Sequence, residues 1–207
     1  MKRIAAITAL LLTIILLSAC AKHAPEADLS KPHVAISFTY ADGLKYAPSF
    51  AVWVEDEAGN TATLFATGKA ATGLKNRPET LPVWTGVREA DAASGATPAD
   101  KAGLTLNIPD EFAGKKLKIF IEANASYDYN DFYAEGLSEG TEGYNNVNGQ
   151  PSAIWTADMD TAQSGSATLE MTAAGDVLGA DHDLHGTDNI TVQVLTGVKV
   201  EWNIASK

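Results

Sequence analysis

Residues 49–67 read SFAVWVEDEAGNTATLFAT, and this stretch decides the fold class. Every second residue at its start is apolar, as on the buried face of a β-strand. These residues are Phe50, Val52 and Val54. Trp53 belongs to the opposite face of the same strand. Residues 58–60, Ala-Gly-Asn, supply a turn, and the alternating segment TATLFAT (61–67) follows it. Two alternating segments joined by such a turn predict a β-hairpin.

The same period of two recurs along the chain. The other alternating segments are HVAISFTY (33–40), LPVWTGV (81–87), LTLNIP (104–109), KLKIFIEA (116–123), SAIWTAD (152–158), SATLEMTA (166–173), NITVQV (189–194) and GVKVEWNI (197–204). No segment has the apolar spacing of an amphipathic helix of three turns. About nine short strands separated by turns predict an all-β fold, a single antiparallel immunoglobulin-like β-sandwich domain spanning 33–207. The four tryptophans fall within these segments and are expected in the core: Trp53, Trp84, Trp155 and Trp202.

The first twenty residues have the plan of an export signal. Lys2 and Arg3 precede an apolar run, and Leu17-Ser18-Ala19-Cys20 closes it. These four residues resemble a bacterial lipobox, in which Cys20 is lipidated and becomes the new N-terminus. We therefore expect a lipoprotein signal peptide at 1–19, a tether at 20–32 and a lipid-anchored domain. An ordinary secretory signal, with an incidental cysteine, is the alternative.

Composition limits the partners of the exported chain. The net charge is −11, and removal of residues 1–19 takes away Lys2 and Arg3, which leaves −13. Nucleic acid and anionic lipid surfaces repel such a chain, so nucleic acid is not expected as a partner and contact with the membrane is expected only through the lipid anchor. Ala21 after the lipobox resembles outer-membrane sorting in enterobacterial lipoproteins, which implies a periplasm-facing location. Cys20 is the only cysteine, so neither a disulfide nor a thiol nucleophile is expected in the domain.

Four segments resemble one family of periplasmic proteins. They are PSFAVWVEDEAGN (48–60), RPETLPVW (77–84), DAASGATP (91–98) and KLKIFIEAN (116–124). Together they look like domain of unknown function 2271. Members of that family often accompany extracytoplasmic redox and iron-related systems, including flavin transferases. The resemblance implies a flavin transferase and envelope redox proteins as partners.

The heptad DAASGAT (91–97) has a second resemblance. Asp91, Ser94, Gly95, Ala96 and Thr97 match the D-x-x-(S/T)-G-A-(S/T) pattern of extracytoplasmic flavoproteins that carry FMN covalently. In those proteins a transferase attaches FMN through a phosphoester to the last hydroxyl residue, which is Thr97 here. The pattern implies that Gly95 and Ala96 leave room for the transferase and that Asp91 orients the loop. An ordinary exposed loop of small residues is the alternative interpretation.

Two further segments carry possible ligands. ADHDLHGTD (180–188) brings together imidazoles and carboxylates that suit a divalent metal: Asp181, His182, Asp183, His185 and Asp188. An ordinary solvated loop has the same composition. The interruption at 127–151, rich in Tyr, Asn and Gly, is long enough for a functional loop. It could hold a partner or glycan, or bind calcium through Asp128, Asp131 and Glu135, although the spacing of a known calcium loop is lacking.

Catalysis has little support in the sequence. The G-x-S-x-G and H-E-x-x-H patterns do not occur, and neighbouring carboxylates such as Glu55 and Asp56 point to opposite faces of a strand. We therefore expect a non-enzymatic envelope accessory protein, with covalent FMN at Thr97 as the leading hypothesis and electron transfer through the flavin as its role. A binding or scaffold module for a protein or glycan, and a metal-binding lipoprotein, are the alternatives.

Overall fold

The computed structural model describes residues 26–73, 78–87, 94–95, 97–98, 101, 103–173, 189–191 and 193–204. Its strands are β1 (His33–Tyr40), β2 (Ser49–Asp56), β3 (Thr61–Thr67), β4 (Ser94–Gly95), β5 (Leu104–Asn107), β6 (Lys116–Asn124), β7 (Ala153–Asp160), β8 (Gly165–Thr168), β9 (Met171–Ala173) and β10 (Leu195–Asn203). Two six-residue helices are α1 (Gly68–Gly73) and α2 (Pro82–Val87). Short 3-10 turns lie at Pro78–Thr80, Asp110–Phe112 and Asn146–Asn148. Within these residues, no helix is both long and apolar enough to cross a membrane.

The predicted β2–β3 hairpin is present, and Asp56 holds its turn. One oxygen of the Asp56 carboxylate accepts hydrogen bonds from the backbone N–H groups of Ala58 and Asn60, each at 3.0 Å. The other oxygen lies 2.8 Å from the ammonium group of Lys115, just before β6. The ion pair with Lys115 and the bonds from Asn60 hold the pKa of Asp56 well below its usual range. The hairpin turn is therefore tied to the start of the neighbouring strand.

The strands form two sheets. One has the order β5-β1-β10-β8, and the other has the order β4-β3-β2-β6-β7-β9. Every pairing between these strands is antiparallel except the short parallel contact between β3 and β4. The expected all-β, antiparallel sandwich is confirmed. The segment SATLEMTA, predicted as one strand, is divided: β8 pairs with β10, and β9 pairs with β7 in the other sheet.

The main core lies between the two sheets. Alternating positions of β1, β2, β6 and β10 turn inward, as their sequences predict. Among the buried residues of this cluster are Val34, Ile36, Phe38, Phe50, Val52, Val54, Leu117, Ile119, Ile121, Val198, Val200 and Trp202. Burying these side chains on both inner faces is the main stabilising term for the sandwich.

A second apolar cluster covers the outer face of the six-stranded sheet. Trp53 and Ile154 lie on this face, and Leu81, Val83 and Trp84 pack over them from the segment around α2. The sequence prediction of a strand at 81–87 is wrong. Pro82 fits the first position of a helix, where its missing N–H is not needed. A helix of six residues is too short to show a 3.6-residue period, so its apolar residues imitate a strand.

The predicted strand at 189–194 is also wrong for the residues of this segment that the structure describes. The backbone N–H of Thr191 donates to the side-chain Oε1 of Gln150 at 2.6 Å, instead of to a neighbouring strand. The regular pairing begins at Leu195, with β10. The four tryptophans are buried as expected, although Trp84 lies on a helix rather than on a strand.

The last residues of the predicted tether contact the domain. The backbone N–H of Asp28 donates to Oδ1 of Asn107 at 2.8 Å, and Nδ2 of Asn107 donates to the carbonyl of Asp28 at 2.8 Å. The carbonyl of Pro32 accepts the N–H of Ile108 at 2.9 Å. The chain therefore enters β1 along the β5 edge of the four-stranded sheet.

Replacing Gly165 by Ala should destabilise the sandwich. A Cβ atom at this position would lie 2.4 Å from Cζ2 of Trp202, whose ring is buried and whose Nε1 donates to two backbone carbonyls. Overpacking of this kind costs about 1–3 kcal/mol, which chemical denaturation can measure. Gly86→Ala is the matched control, because nothing lies within 4 Å of its Cβ position. Equal stability of the two variants would contradict the packing described here.

Candidate functional site

The described part of the DAASGAT heptad lies at the edge of the six-stranded sheet. Ser94 and Gly95 form β4, which pairs in parallel with Ala66 and Thr67 at the end of β3. Gly95 is buried, and its carbonyl oxygen would lie 3.4 Å from a Cβ atom placed on Gly68. The backbone of Ser94 and Gly95 therefore lies against the sheet and the start of α1.

Thr97 follows β4 and is half-buried. The next residue, Pro98, accepts a hydrogen bond at 2.8 Å from the hydroxyl of Tyr40, at the end of β1. This bond connects the heptad to the other sheet. Asp91, Ala96 and the side chain of Ser94 lie outside the described residues, so of the predicted attachment motif the structure describes the Ser94–Gly95 backbone and Thr97.

An open cavity of about 260 Å³ lies at the β1–β2 connection. It is lined by residues of that connection, among them Tyr40, Leu44, Tyr46 and Pro48. The Tyr40 ring stacks on Phe38 with ring centroids 5.5 Å apart. Through its hydroxyl, Tyr40 is also the residue of this lining that contacts Pro98, the residue after Thr97. Pockets that enclose a ligand measure about 300–1,000 Å³, so this cavity is smaller than a site that encloses a whole cofactor.

The other predicted ligand residues either lie outside the described residues or do not form a metal-binding group. Cys20, the proposed lipidation site, lies outside the described residues, as does the proposed metal set: Asp181, His182, Asp183, His185 and Asp188. Elsewhere, across the ranges that the structure does describe, no group of three or more His, Cys, Asp or Glu side chains could hold a metal ion. This result includes the calcium set suggested for the 127–151 loop, because Asp128, Asp131 and Glu135 do not form such a group.

The 127–151 loop is instead held together by its own side chains. The Asp128 carboxylate accepts the backbone N–H of Gln150 at 3.0 Å and the Gln150 side-chain amide at 3.3 Å. Asn130 accepts the N–H groups of Phe132 and Tyr133 and donates to the carbonyl of Asn189 at 2.8 Å. Burial raises the pKa of Asp128 to about 7. Asp128 is therefore a structural group of the loop.

A second cleft lies at the hairpin end of the six-stranded sheet. Its volume is about 730 Å³, and charged residues dominate its lining: Glu55, Asp56, Glu57, Lys116, Lys118, Asp158 and Asp160. Asp56 is already committed to the hairpin turn, and Lys118 pairs with Asp158 at 3.9 Å. Cross-strand pairs of opposite charge are typical of a solvated sheet face. We assign no chemistry to this cleft.

The structure reveals one buried group that the sequence analysis missed. Glu122 of β6 is fully buried beneath α2. Its Oε2 accepts the N–H of Trp84 at 2.7 Å, and its Oε1 accepts the N–H of Val83 at 3.3 Å and the hydroxyl of Ser152 at 2.7 Å. The carboxyl group therefore caps the start of α2. The sequence carries no local signal for this contact, because 81–87 is predicted as a strand and Glu122 lies about 40 residues further along the chain.

Comparison of the chain with protein-family models, with curated proteins and with solved structures gives no match. The resemblance to domain of unknown function 2271 and the resemblance of the heptad to FMN attachment motifs stay predictions from the sequence.

Glu122 should make stability depend on pH. Burial raises its pKa from 4.5 to about 7, so the folded state holds this proton more tightly than the unfolded state. The stability that the protonated Glu122 contributes to the fold is fully present below pH 4.5. It is lost as the pH rises towards 7, where ionisation of the buried carboxyl group costs about 3 kcal/mol. Denaturant titrations between pH 4.5 and 8 should show this fall in unfolding free energy.

In the Glu122→Gln variant, the unfolding free energy should decrease much less between pH 4.5 and 8, because the amide does not ionise. Burial also raises the pKa of Asp128, so this residue should account for part of the pH dependence that remains in the Glu122→Gln variant. The Asp128→Asn variant measures the part that Asp128 contributes. An unchanged pH dependence in Glu122→Gln would show that Glu122 is ionised throughout this range in the folded protein.

Proposed function

We propose that this chain is a lipid-anchored accessory protein of the bacterial cell envelope that carries FMN covalently at Thr97. The observation that carries the proposal is the setting of Thr97. It is half-buried at the last position of the heptad, two residues after the short strand β4, which pairs with the end of β3. A transferase needs a hydroxyl residue close to a fixed part of the fold, and β4 supplies that fixed part.

The attachment reaction is a phosphoryl transfer. The Oγ atom of Thr97 attacks the flavin-side phosphorus of FAD, the bond between that phosphorus and the bridging oxygen breaks, and AMP leaves. The hydroxyl proton passes to a base of the transferase. The product is a phosphoester between Thr97 and FMN. The attached flavin supplies electron transfer, which side chains of this composition do not supply.

The surroundings of Thr97 support a carrier rather than an enclosed flavoenzyme. Tyr40 and Tyr46 line the cavity at the β1–β2 connection, and its volume is too small to enclose the whole group. The exposed side of the flavin would then be accessible to redox partners. Tyr40 also fixes the chain just after Thr97 through its bond to Pro98, which limits where the attached group can lie.

A second candidate function is a non-catalytic binding module, and the 127–151 loop favours it. The loop is long, yet Asp128, Asn130 and Gln150 hold it in one arrangement. It presents Tyr127 and Tyr144 to solvent, with 38% and 37% of their surfaces exposed. Fixed, exposed tyrosines surrounded by Asn and Gly are typical of recognition loops.

Coexpression with an FMN transferase tests the carrier proposal. The intact mass of the purified protein should rise by one FMN less one water. Thr97→Val should abolish the increase, and Thr97→Ser should retain it, because serine supplies the same nucleophile. Thr141→Val is the matched control, an exposed threonine outside the heptad, and should be flavinylated normally. An unmodified wild-type chain beside a transferase that modifies its own substrate would remove the carrier proposal.

Lipid attachment is tested separately. Cells expressing the chain should incorporate radiolabelled palmitate into it, and Cys20→Ala should abolish the label. The labelled wild-type protein should partition into the detergent phase, because each acyl chain contributes about 0.8 kcal/mol per buried methylene. Incorporation of label into the Cys20→Ala protein would refute attachment at this residue.

A further inference from the structure

A small pocket lies within the 127–151 loop itself. Its volume is about 210 Å³, and we refer to it as the loop pocket. It is lined by Tyr129, Tyr133, Ala134, Gly136, Leu137, Gly143, Tyr144, Asn145, Asn146, Val147 and Gly149. At about 30 Å³ per water, it has room for roughly seven water molecules. Its size therefore suits one small ring rather than a large cofactor.

The loop pocket has no charged side chain in its lining. This is unexpected in its surroundings, because the loop carries exposed carboxylates at Asp131, Glu135, Glu139 and Glu142 and has no Lys, Arg or His between residues 126 and 151. An anionic ligand would meet repulsion from these carboxylates and no compensating cation. A cationic ligand would find no carboxylate in contact with it. The charge pattern favours a neutral ligand.

The groups that line the pocket are aromatic rings, hydroxyls and amides. Tyr144 stands at its exposed side, and Asn145 and Asn146 supply side-chain amides. The Nδ2 atom of Asn145 is buried and donates no hydrogen bond to any residue that the structure describes. This donor belongs to a residue of the pocket lining, so a ligand oxygen in the pocket is a candidate partner for it. Aromatic faces beside amide groups match a ring that has apolar C–H faces and hydroxyl edges.

The pocket is formed in advance of any ligand. A Cβ atom on Gly143 would clash with the carbonyl oxygen of Phe132, and one on Gly149 would lie 2.6 Å from Oδ1 of Asp128. These close approaches fix the two sides of the loop against each other. Burial raises the pKa of Tyr133 to about 12, so its hydroxyl stays neutral. Little ordering is then needed when a ligand binds, which favours even a small one.

From the uncharged lining, the size and the tyrosine and asparagine side chains, we propose that the loop pocket binds one ring of a neutral saccharide. This site is separate from Thr97, and binding does not require an attached flavin. Tyr144 would contact the C–H face of the ring. Asn145 and Asn146 would contact its hydroxyls.

Titration of the purified full-length protein, followed by ¹H–¹⁵N NMR, tests the proposal. The probes are maltotriose, tri-N-acetylglucosamine, the methyl glycosides of the corresponding single sugars, and glucuronic acid as a charged comparison. A neutral probe should shift the side-chain amide signals of Asn145 and Asn146 at millimolar concentration or below. Stronger binding of the trisaccharides than of the methyl glycosides would identify a polymer as the source of the ring.

Two variants locate the site. Tyr144→Ala and Asn145→Ala should each weaken binding at least tenfold. Asn145→Ala keeps the backbone and removes an amide nitrogen that has no described partner, so its thermal unfolding should match that of the wild type. Leu29→Ala is the control, an exposed apolar residue outside the loop pocket, and should bind normally.

The proposal is overturned if no neutral probe shifts the Asn145 and Asn146 signals, if glucuronic acid binds more tightly than the neutral sugars, or if both pocket variants bind like the wild type. None of these results bears on flavin attachment, which the mass measurement tests alone.

Discussion

The six-stranded sheet is buried on both faces at its centre, and the rest of the structure depends on this constraint. In β2 the residues from Phe50 to Val54 are all buried, although a strand with one solvated face would expose every second residue. The inner face packs on the four-stranded sheet, and the outer face packs under α2. Every polar group placed on these central strands must therefore find a partner inside the protein.

Two buried polar side chains of β6, Glu122 and Asn124, form hydrogen bonds that organise the neighbouring elements, although Oδ1 of Asn124 has no hydrogen-bond partner among the described residues. Glu122 caps α2 and accepts the hydroxyl of Ser152, just before β7. Two residues further, Asn124 donates to the carbonyl of Gln150 at 3.0 Å, and Gln150 is the residue that Asp128 holds. Two sets of polar contacts therefore start from neighbouring positions of β6, one reaching the helical cover and the other the base of the 127–151 loop. Removing one member would leave its partner unsatisfied, which costs more than one ordinary hydrogen bond contributes.

The sequence predicts the strands whose side chains have clear alternation, because burial of one face selects them directly. The residues Val34, Ile36 and Phe38 of β1 show this, as does the hairpin between β2 and β3. The sequence does not predict which secondary structure a short apolar segment adopts. LPVWTGV has strand-like alternation but forms α2, since a buried carboxylate from a distant strand satisfies its N-terminus. For the site, the pattern selects Thr97, whereas the contact between Tyr40 and Pro98 joins residues 58 positions apart and has no local signal.

The β1–β2 connection and the 127–151 loop lie at the same end of the sandwich, because of the directions of β1, β2 and β6. β1 ends at Tyr40, β2 begins at Ser49, and Ser49 pairs with Asn124 at the end of β6. The connections after β1 and after β6 therefore emerge side by side. Tyr46 and Tyr127 join them through rings 5.5 Å apart, with the ammonium group of Lys45 4.8 Å from the Tyr127 ring centroid.

Tyr127 has a φ of +67°, a backbone conformation that a residue other than glycine rarely adopts. Surrounding contacts must maintain such a conformation, and here the backbone N–H of Tyr127 donates to the carbonyl of Val147 at 2.9 Å. Tyr127 also contacts Tyr129, which lines the loop pocket, while Tyr46 lines the cavity at the β1–β2 connection. Tyr46, Tyr127 and Tyr129 therefore form a series of ring contacts from that connection to the loop pocket. Tyrosine side chains have few rotatable bonds, so these contacts restrict the movement of the two connections relative to each other.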